Sequence, residues 1–125
     1  MSKTPEKKPI TFYTNLIDAL TNSIWTGIEF AAMVAEKRNG QEGIPEYTFR
    51  NQLGKMLEEI REYNFAVQSK QGAPEEHTRD RCVNEGLDVH FATLSSYDVL
   101  KFSKDEVRQE VTNIIIKFQE KGWLD

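Results

Sequence analysis

Two pairs of acidic residues in this chain have a spacing that suits metal binding. Glu59 and Glu62 form its only Glu-x-x-Glu, and Glu85 and Asp88 form its only Glu-x-x-Asp. On an α-helix, residues three apart project from one face about one turn apart. Two helices that present such pairs to each other would assemble an oxygen-only site suited to Mg²⁺ or Mn²⁺. The spacing therefore indicates a metal-assisted enzyme acting on phosphates, and ordinary solvated surface acids are the alternative.

The elements that must position these acids are predicted by hydrophobic periodicity. It indicates an all-α, four-helix bundle-like domain with helices near residues 12–36, 47–68, 75–100 and 104–121. Residues 1–10 are predicted to be a flexible tail, and residues 11–125 a single helical domain.

The second predicted helix has the most regular apolar stripe, with steps of three and four. Its members are Phe49, Leu53, Met56, Ile60, Tyr63 and Val67. This stripe predicts that Glu59 and Glu62 flank the buried face instead of opposing it. The last helix is bounded by a capping-box pattern, Ser103 with Glu106, and by Gly122 as a C-terminal stop.

Composition limits the class of protein. The chain has 125 residues, 38% of them hydrophobic and 29% charged, which is typical of one globular domain. Its single cysteine, Cys82, excludes an intramolecular disulfide and indicates a cytoplasmic location. The absence of an apolar run of about 20 residues predicts no membrane span. The net charge of -4 disfavours a partner such as duplex nucleic acid.

These motifs resemble those of a known family, the all-α nucleoside triphosphate pyrophosphohydrolases. This MazG-like superfamily includes the dimeric dUTPases and dCTPases, and its signature is E-x-x-E, a gap of variable length, then E-x-x-D. Here 22 residues, 63–84, separate the two pairs. The resemblance covers about residues 47–122, including an acidic helix and a closing basic helix. Two residues depart from the pattern: Arg61, where the family often has a small residue, and Gly86, in the helix of the second pair.

The resemblance implies a Mg²⁺-dependent hydrolase, with Mn²⁺ as an alternative, that converts a nucleoside triphosphate to a monophosphate and pyrophosphate in nucleotide-pool housekeeping. The implied residues are Glu59, Glu62, Glu85 and Asp88 as metal ligands, Glu58 as the group that orients or activates water, Lys117 and Lys121 as triphosphate-binding cations, and Trp25 as a stacking partner for the base. Simpler alternatives stay open. Glu58 would be a surface acid, the lysines would stabilise a helix C-terminus, and Trp25 would belong to the core.

The first predicted helix is apolar over more than half its circumference, which indicates a homodimer or higher homo-oligomer. A different class, a non-catalytic helical interaction or regulatory module with an acidic face, would use the same apolar surfaces. A di-iron bundle is set aside because no Glu has a His three residues on. A helix-turn-helix DNA binder is disfavoured because a basic recognition helix is missing.

Overall fold

Helices account for nearly all of the chain that the structure, a computed structural model, describes: residues 7–39, 41, 48–68 and 75–125. Within these ranges there is no strand. The elements are a 3-10 helix (Ile10–Tyr13), α1 (Thr14–Arg38), α2 (Phe49–Gln68), α3 (Glu75–Val99) and α4 (Lys104–Glu120). The predicted fold class, all-α with bundle-like packing of helices, is confirmed.

The observed helix ends agree with the predicted ones to within two residues. Residue 47, the predicted start of the second helix, lies outside the described ranges, as do residues 1–6 of the predicted tail. Thr48 precedes α2, and its hydroxyl accepts a hydrogen bond from the Asn51 backbone N–H at 3.2 Å, as an N-cap side chain does.

The bounds of α4 follow from local chemistry, as predicted. The Ser103 hydroxyl accepts from the Glu106 backbone N–H, and the Ser103 N–H donates to the Glu106 carboxylate, each at 3.1 Å. These reciprocal bonds satisfy two backbone donors that the first turn of the helix would otherwise leave unpaired. At the other end Gly122 has φ 73°, the left-handed conformation that ends many helices.

The chain divides into two compact units. One comprises Met1–Thr26 and Phe102–Asp125, and the other comprises Gly27–Lys101, which carries both acidic pairs. In the first unit an ion pair joins Arg108 of α4 to Asp18 of α1. There the Gln119 side-chain amide also donates to the Lys8 carbonyl oxygen at 2.8 Å. The single domain over residues 11–125 stays a prediction.

In the second unit α2 and α3 pack against each other in opposite directions. The Arg81 guanidinium lies 5.3 Å from the Phe65 ring centroid near one end of the pair. The Thr93 hydroxyl lies 3.5 Å from the Met56 sulfur nearer the other end. Residues that advance along α2 therefore meet residues that recede along α3, which is the arrangement of an antiparallel helix pair.

The buried face of α2 differs from the predicted apolar stripe. Its buried residues are Gln52, Glu59 and Ala66, spaced seven apart. The predicted stripe residues Leu53, Ile60, Tyr63 and Val67 are 38–43% exposed. Glu59 was predicted to flank the buried face, and it lies within that face, because α2 turns a narrow row of polar and small side chains inward. A buried polar residue beside exposed apolar ones is the informative departure from ordinary packing.

None of the helices within the described ranges combines the length and the apolar character that crossing a bilayer requires.

Candidate functional site

Three carboxylates from two helices meet in the Gly27–Lys101 unit. Glu59 of α2 and Glu85 and Asp88 of α3 each offer one oxygen, and these oxygens lie within 4.8 Å of one another. The antiparallel packing of α2 and α3 explains the convergence, because it places the middle of α2 beside the middle of α3. We call Glu59, Glu85 and Asp88 the acidic group.

Two oxygens of the acidic group are buried at an energetic cost, although Glu85 is only half-buried and Asp88 is exposed. Glu59 is 5% exposed. Its Oε2 atom and Oε2 of Glu85 are buried and have no hydrogen-bond partner among the described residues. A buried polar atom without a partner costs about 1–3 kcal/mol, and more when it is charged. The fold accommodates this cost at a place where two helices bring like charges together.

A lysine partly offsets the charge of the acidic group. Lys55 lies one turn before Glu59 on α2, and its Nζ is 2.7 Å from Oε1 of Glu59. Its hydrogen bond to Glu59 raises the pKa of Lys55, and the nearby carboxylates of Glu58 and Glu62 add to the effect. Sequence reasoning missed Lys55, although its four-residue separation from Glu59 is the spacing of a helical ion pair.

Glu62, the fourth predicted ligand, lies at the exposed edge of the acidic group. Desolvation and then the negative charges of Glu59 and Glu85 raise its pKa, and a hydrogen bond with Glu85 contributes further. Like charges within a few ångströms disfavour ionisation of all of them together. The pKa of Glu62 therefore responds to the charges of Glu59 and Glu85 on the two helices.

Glu58 is exposed on α2. Its charge is among the causes that raise the pKa of Glu62 and that of Lys55. It therefore lies within electrostatic reach of the acidic group without belonging to it.

A pocket of about 270 Å³ adjoins the acidic group and shares two of its residues. Its lining includes Phe30, Arg38, Gln52, Lys55, Glu59, Asp88, Phe91 and Ser95. The rings of Phe30 and Phe91 lie 5.4 Å apart between centroids, with 51° between their planes. A pocket with an aromatic wall and a carboxylate rim suits a ligand that joins a planar body to an anionic group held through a cation.

The pocket was not predicted from the sequence. Phe30 and Phe91 are 48% and 42% exposed. Periodicity places an aromatic residue on a helix face but does not say which neighbouring helix leaves a gap beside it. The sequence feature that could have indicated this pocket is that both phenylalanines lie on helices that also carry acidic residues.

Three residues predicted to bind substrate belong to the other unit. Trp25 is half-buried on α1. Lys117 is exposed in the last turn of α4, and the ammonium of Lys121 lies 4.5 Å from the centroid of the Trp123 ring. Their roles in substrate binding stay predictions.

The two departures from the family pattern have different environments. Arg61 is exposed, and it makes no ion pair within the part of the chain that the structure describes. Gly86 lies where α2 and α3 come close, because a Cβ there would be 3.2 Å from Cε2 of Tyr63. The missing side chain at Gly86 therefore permits the close packing next to Glu85.

Comparisons with known proteins add no assignment. No protein-family model matches the chain, no curated protein matches it, and no solved structure matches it. Membership of the MazG-like superfamily therefore stays a prediction from the sequence motifs.

Proposed function

We propose that this protein is a Mg²⁺-dependent nucleoside triphosphate pyrophosphohydrolase that releases a nucleoside monophosphate and pyrophosphate. The observation that carries the proposal is the pair of buried, unpartnered carboxylate oxygens, Oε2 of Glu59 and Oε2 of Glu85. A protein that gained nothing from these acids would be more stable with apolar side chains in their place. The cost is explained when a cation binds them.

The donor set fits a small hard cation. Oxygen-only ligands are what Mg²⁺ and Mn²⁺ prefer, and protein carboxylates bind Mg²⁺ at about 2.1 Å. Ligand oxygens around such an ion are therefore about 3–4 Å apart. The 4.8 Å limit on the acidic group is close enough for small side-chain rotations to complete the site. Glu59, Glu85 and Asp88 would hold the ion, and Glu62 would join from the exposed edge.

When bound, the cation would neutralise negative charge on the triphosphate and would lower the pKa of a coordinated water. In the proposed reaction a water oxygen attacks the α-phosphorus, and the bond between that phosphorus and the α–β bridging oxygen breaks. Pyrophosphate leaves with the bridging oxygen, and the proton lost by water passes to a general base. Glu58 is our candidate for that base because it is ionisable, exposed and adjacent to Glu59.

The pocket supports a nucleotide as the substrate. Glu59 and Asp88 of the acidic group line part of the pocket. The rings of Phe30 and Phe91 give the same pocket an apolar surface. We propose that the nucleobase of the substrate lies against these rings while its phosphates face the carboxylates of the acidic group. Trp25, Lys117 and Lys121 belong to the other unit, and their roles stay predictions from the sequence.

Self-association is proposed from the exposed apolar surface. Large side chains of α1 and α2 are 44–65% exposed, among them Leu16, Met33, Leu57 and Phe65. A second copy of the chain would bury such a surface, as in a homodimer or higher homo-oligomer. Size-exclusion chromatography coupled to light scattering tests this self-association. A strict monomer at micromolar concentration would contradict it. The free thiol of Cys82 supports a cytoplasmic location.

A screen of the common ribo- and deoxynucleoside triphosphates with Mg²⁺, read out as pyrophosphate release, tests the hydrolase directly. We expect release from at least one of them, and a loss of at least about 100-fold in the Glu59→Gln and Asp88→Asn variants. Glu36→Gln removes an exposed acid of α1 and is the matched control.

Release from no nucleotide, in a preparation that melts cooperatively, would contradict the hydrolase. It would favour the alternative, a non-catalytic helical interaction or regulatory module. The exposed apolar residues of α2 are the observation that supports this alternative.

A further inference from the structure

The only lysine described in contact with the acidic group holds just one oxygen of Glu59. Lys55 Nζ contacts Oε1 at 2.7 Å, and the side chains of Lys55 and Glu59 are 48% and 7% exposed. The ammonium therefore sits between solvent and a buried carboxylate. The second oxygen of Glu59, Oε2, is buried without a partner among the described residues.

A divalent cation on Glu59 and this ammonium would repel each other. A doubly charged ion bound to the acidic group would lie only a few ångströms from Nζ, and two positive charges at such a distance interact unfavourably. The long side chain of lysine allows the ammonium to move away at little cost, because half of it is already in solvent.

The direction in which the ammonium would move is set by the pocket. Lys55 lines that pocket together with Gln52 and Ser95, and Arg38 adds a second cationic side chain. An anionic group entering the pocket would therefore meet a lysine that has lost its carboxylate partner. A compact ammonium with three donors is a common ligand of phosphate oxygens.

We propose that Lys55 is a resident counter-cation which a divalent cation displaces from Glu59, so that its ammonium becomes available to a phosphate group in the adjoining pocket. The role of the divalent cation rests on the proposed function. The consequence is an order of events: the cation binds first, and the affinity for a polyphosphate rises afterwards.

Titration of the metal-free protein with Mn²⁺ in a calorimeter tests the displacement. Because the cation no longer competes with an ammonium, Lys55→Met should bind Mn²⁺ about tenfold more tightly than the unmodified protein. Lys55→Arg keeps the charge and should bind no more tightly. Arg61→Met removes a positive charge from the same helix and is the matched control, with a change of less than about twofold because that charge is exposed and screened.

The outcomes separate this inference from the proposed function. If the unmodified protein binds Mn²⁺ and Lys55→Met binds it equally or less tightly, the displacement is wrong while the metal site stands. If only Lys55→Met binds Mn²⁺, Lys55 blocks the site instead of being displaced from it, and both the displacement and the metal-dependent hydrolase are wrong. If neither protein binds Mn²⁺, both ideas are wrong.

Binding of inorganic triphosphate at saturating Mg²⁺ tests the second half. We expect Lys55→Met to weaken this binding about tenfold and Lys55→Arg to retain it within about threefold, since arginine also binds phosphate. Equal binding by all three proteins would overturn the role of Lys55 toward phosphate. Acetylation of Lys55, compared with exposed Lys101 by mass spectrometry, should become faster when Mg²⁺ alone is added. An unchanged ratio between the two lysines would overturn displacement.

Discussion

Gly86 of α3 lies against the ring of Tyr63 of α2, so closely that a Cβ at position 86 would stand 3.2 Å from Cε2 of Tyr63. Their chain neighbours are Glu85 and Glu62, and the charge of Glu85 is among the causes that raise the pKa of Glu62. We therefore expect this contact to influence the distance between the two acidic pairs. Glycine is unfavourable within a helix, but at position 86 its missing side chain allows α2 and α3 to approach each other closely.

Gly86→Ala should weaken Mn²⁺ binding severalfold while changing the free energy of unfolding by less than about 1 kcal/mol. The added methyl group pushes the Tyr63 ring, and the gain in helix propensity of about 1 kcal/mol offsets the crowding. Calorimetric titration and urea unfolding measure the two effects separately. Unchanged Mn²⁺ affinity would show that the close contact does not set the site's dimensions.

Gly27→Ala should destabilise the protein by about 1 kcal/mol. A Cβ at position 27 would lie 2.6 Å from Cδ1 of Leu94, which is 3% exposed and has little room to move. Overpacking costs about 1–3 kcal/mol, and the helix propensity of alanine returns about 1 kcal/mol.

Gly54→Ala is the control for this prediction because nothing lies within 4 Å of a Cβ at position 54. It should stabilise the protein by about 0.5–1 kcal/mol through helix propensity alone. Urea unfolding of the three proteins checks the signs. A gain from both substitutions would mean that Leu94 can be displaced without cost.

Divalent cations should raise the melting temperature. A ligand at 100 times its dissociation constant stabilises the folded state by about 2.7 kcal/mol, which for a chain of this size corresponds to roughly 10 °C. Differential scanning fluorimetry with Mg²⁺ or Mn²⁺, reversed by a chelator, measures the shift. Glu59→Gln should abolish it and Glu36→Gln should leave it intact; an equal shift in both would indicate non-specific binding.

Glu62→Gln should stabilise the metal-free protein at neutral pH but not near pH 4. The folded state raises the pKa of Glu62 above 4.5, through desolvation and the charges of Glu59 and Glu85. Its ionisation therefore destabilises the folded state as the pH rises through that raised pKa. The penalty is complete above this range and absent below about 4.5, where the carboxyl is protonated in both states.

Melting temperatures of the unmodified protein and of Glu62→Gln, measured in chelator from about pH 4 to 8, check this sign. The difference should grow with pH, whereas Glu36→Gln should show no such trend. A difference that is constant over the whole range would mean that Glu62 acts through packing and not through its charge.

The helices and the composition of the site could be predicted because both depend on local spacing. The capping box of Ser103 and the stop at Gly122 bound α4 through backbone bonds within a few residues. The meeting of the acidic pairs follows from one further step: consecutive helices joined by a short connection pack antiparallel, which brings the middle of one beside the middle of the next.

The burial of individual residues could not be predicted in the same way. The apolar stripe of α2 suggested that Leu53 and Ile60 face inward, but Gln52 and Glu59 do so. Which side of a helix is buried depends on how closely its neighbours approach. Here small residues such as Ala66 and Ala92 are among those buried, and single-sequence periodicity carries no measure of that approach.

The cost of keeping Glu59 inside the fold has a practical consequence for handling the protein. A preparation stripped of cations by a chelator keeps the buried, unpartnered carboxylate oxygen of Glu59 in the middle of α2. It should therefore be cleaved sooner by proteases than a preparation purified with Mg²⁺. On the proposed function, we therefore expect a more homogeneous sample when crystallisation and storage buffers contain Mg²⁺ from the first step.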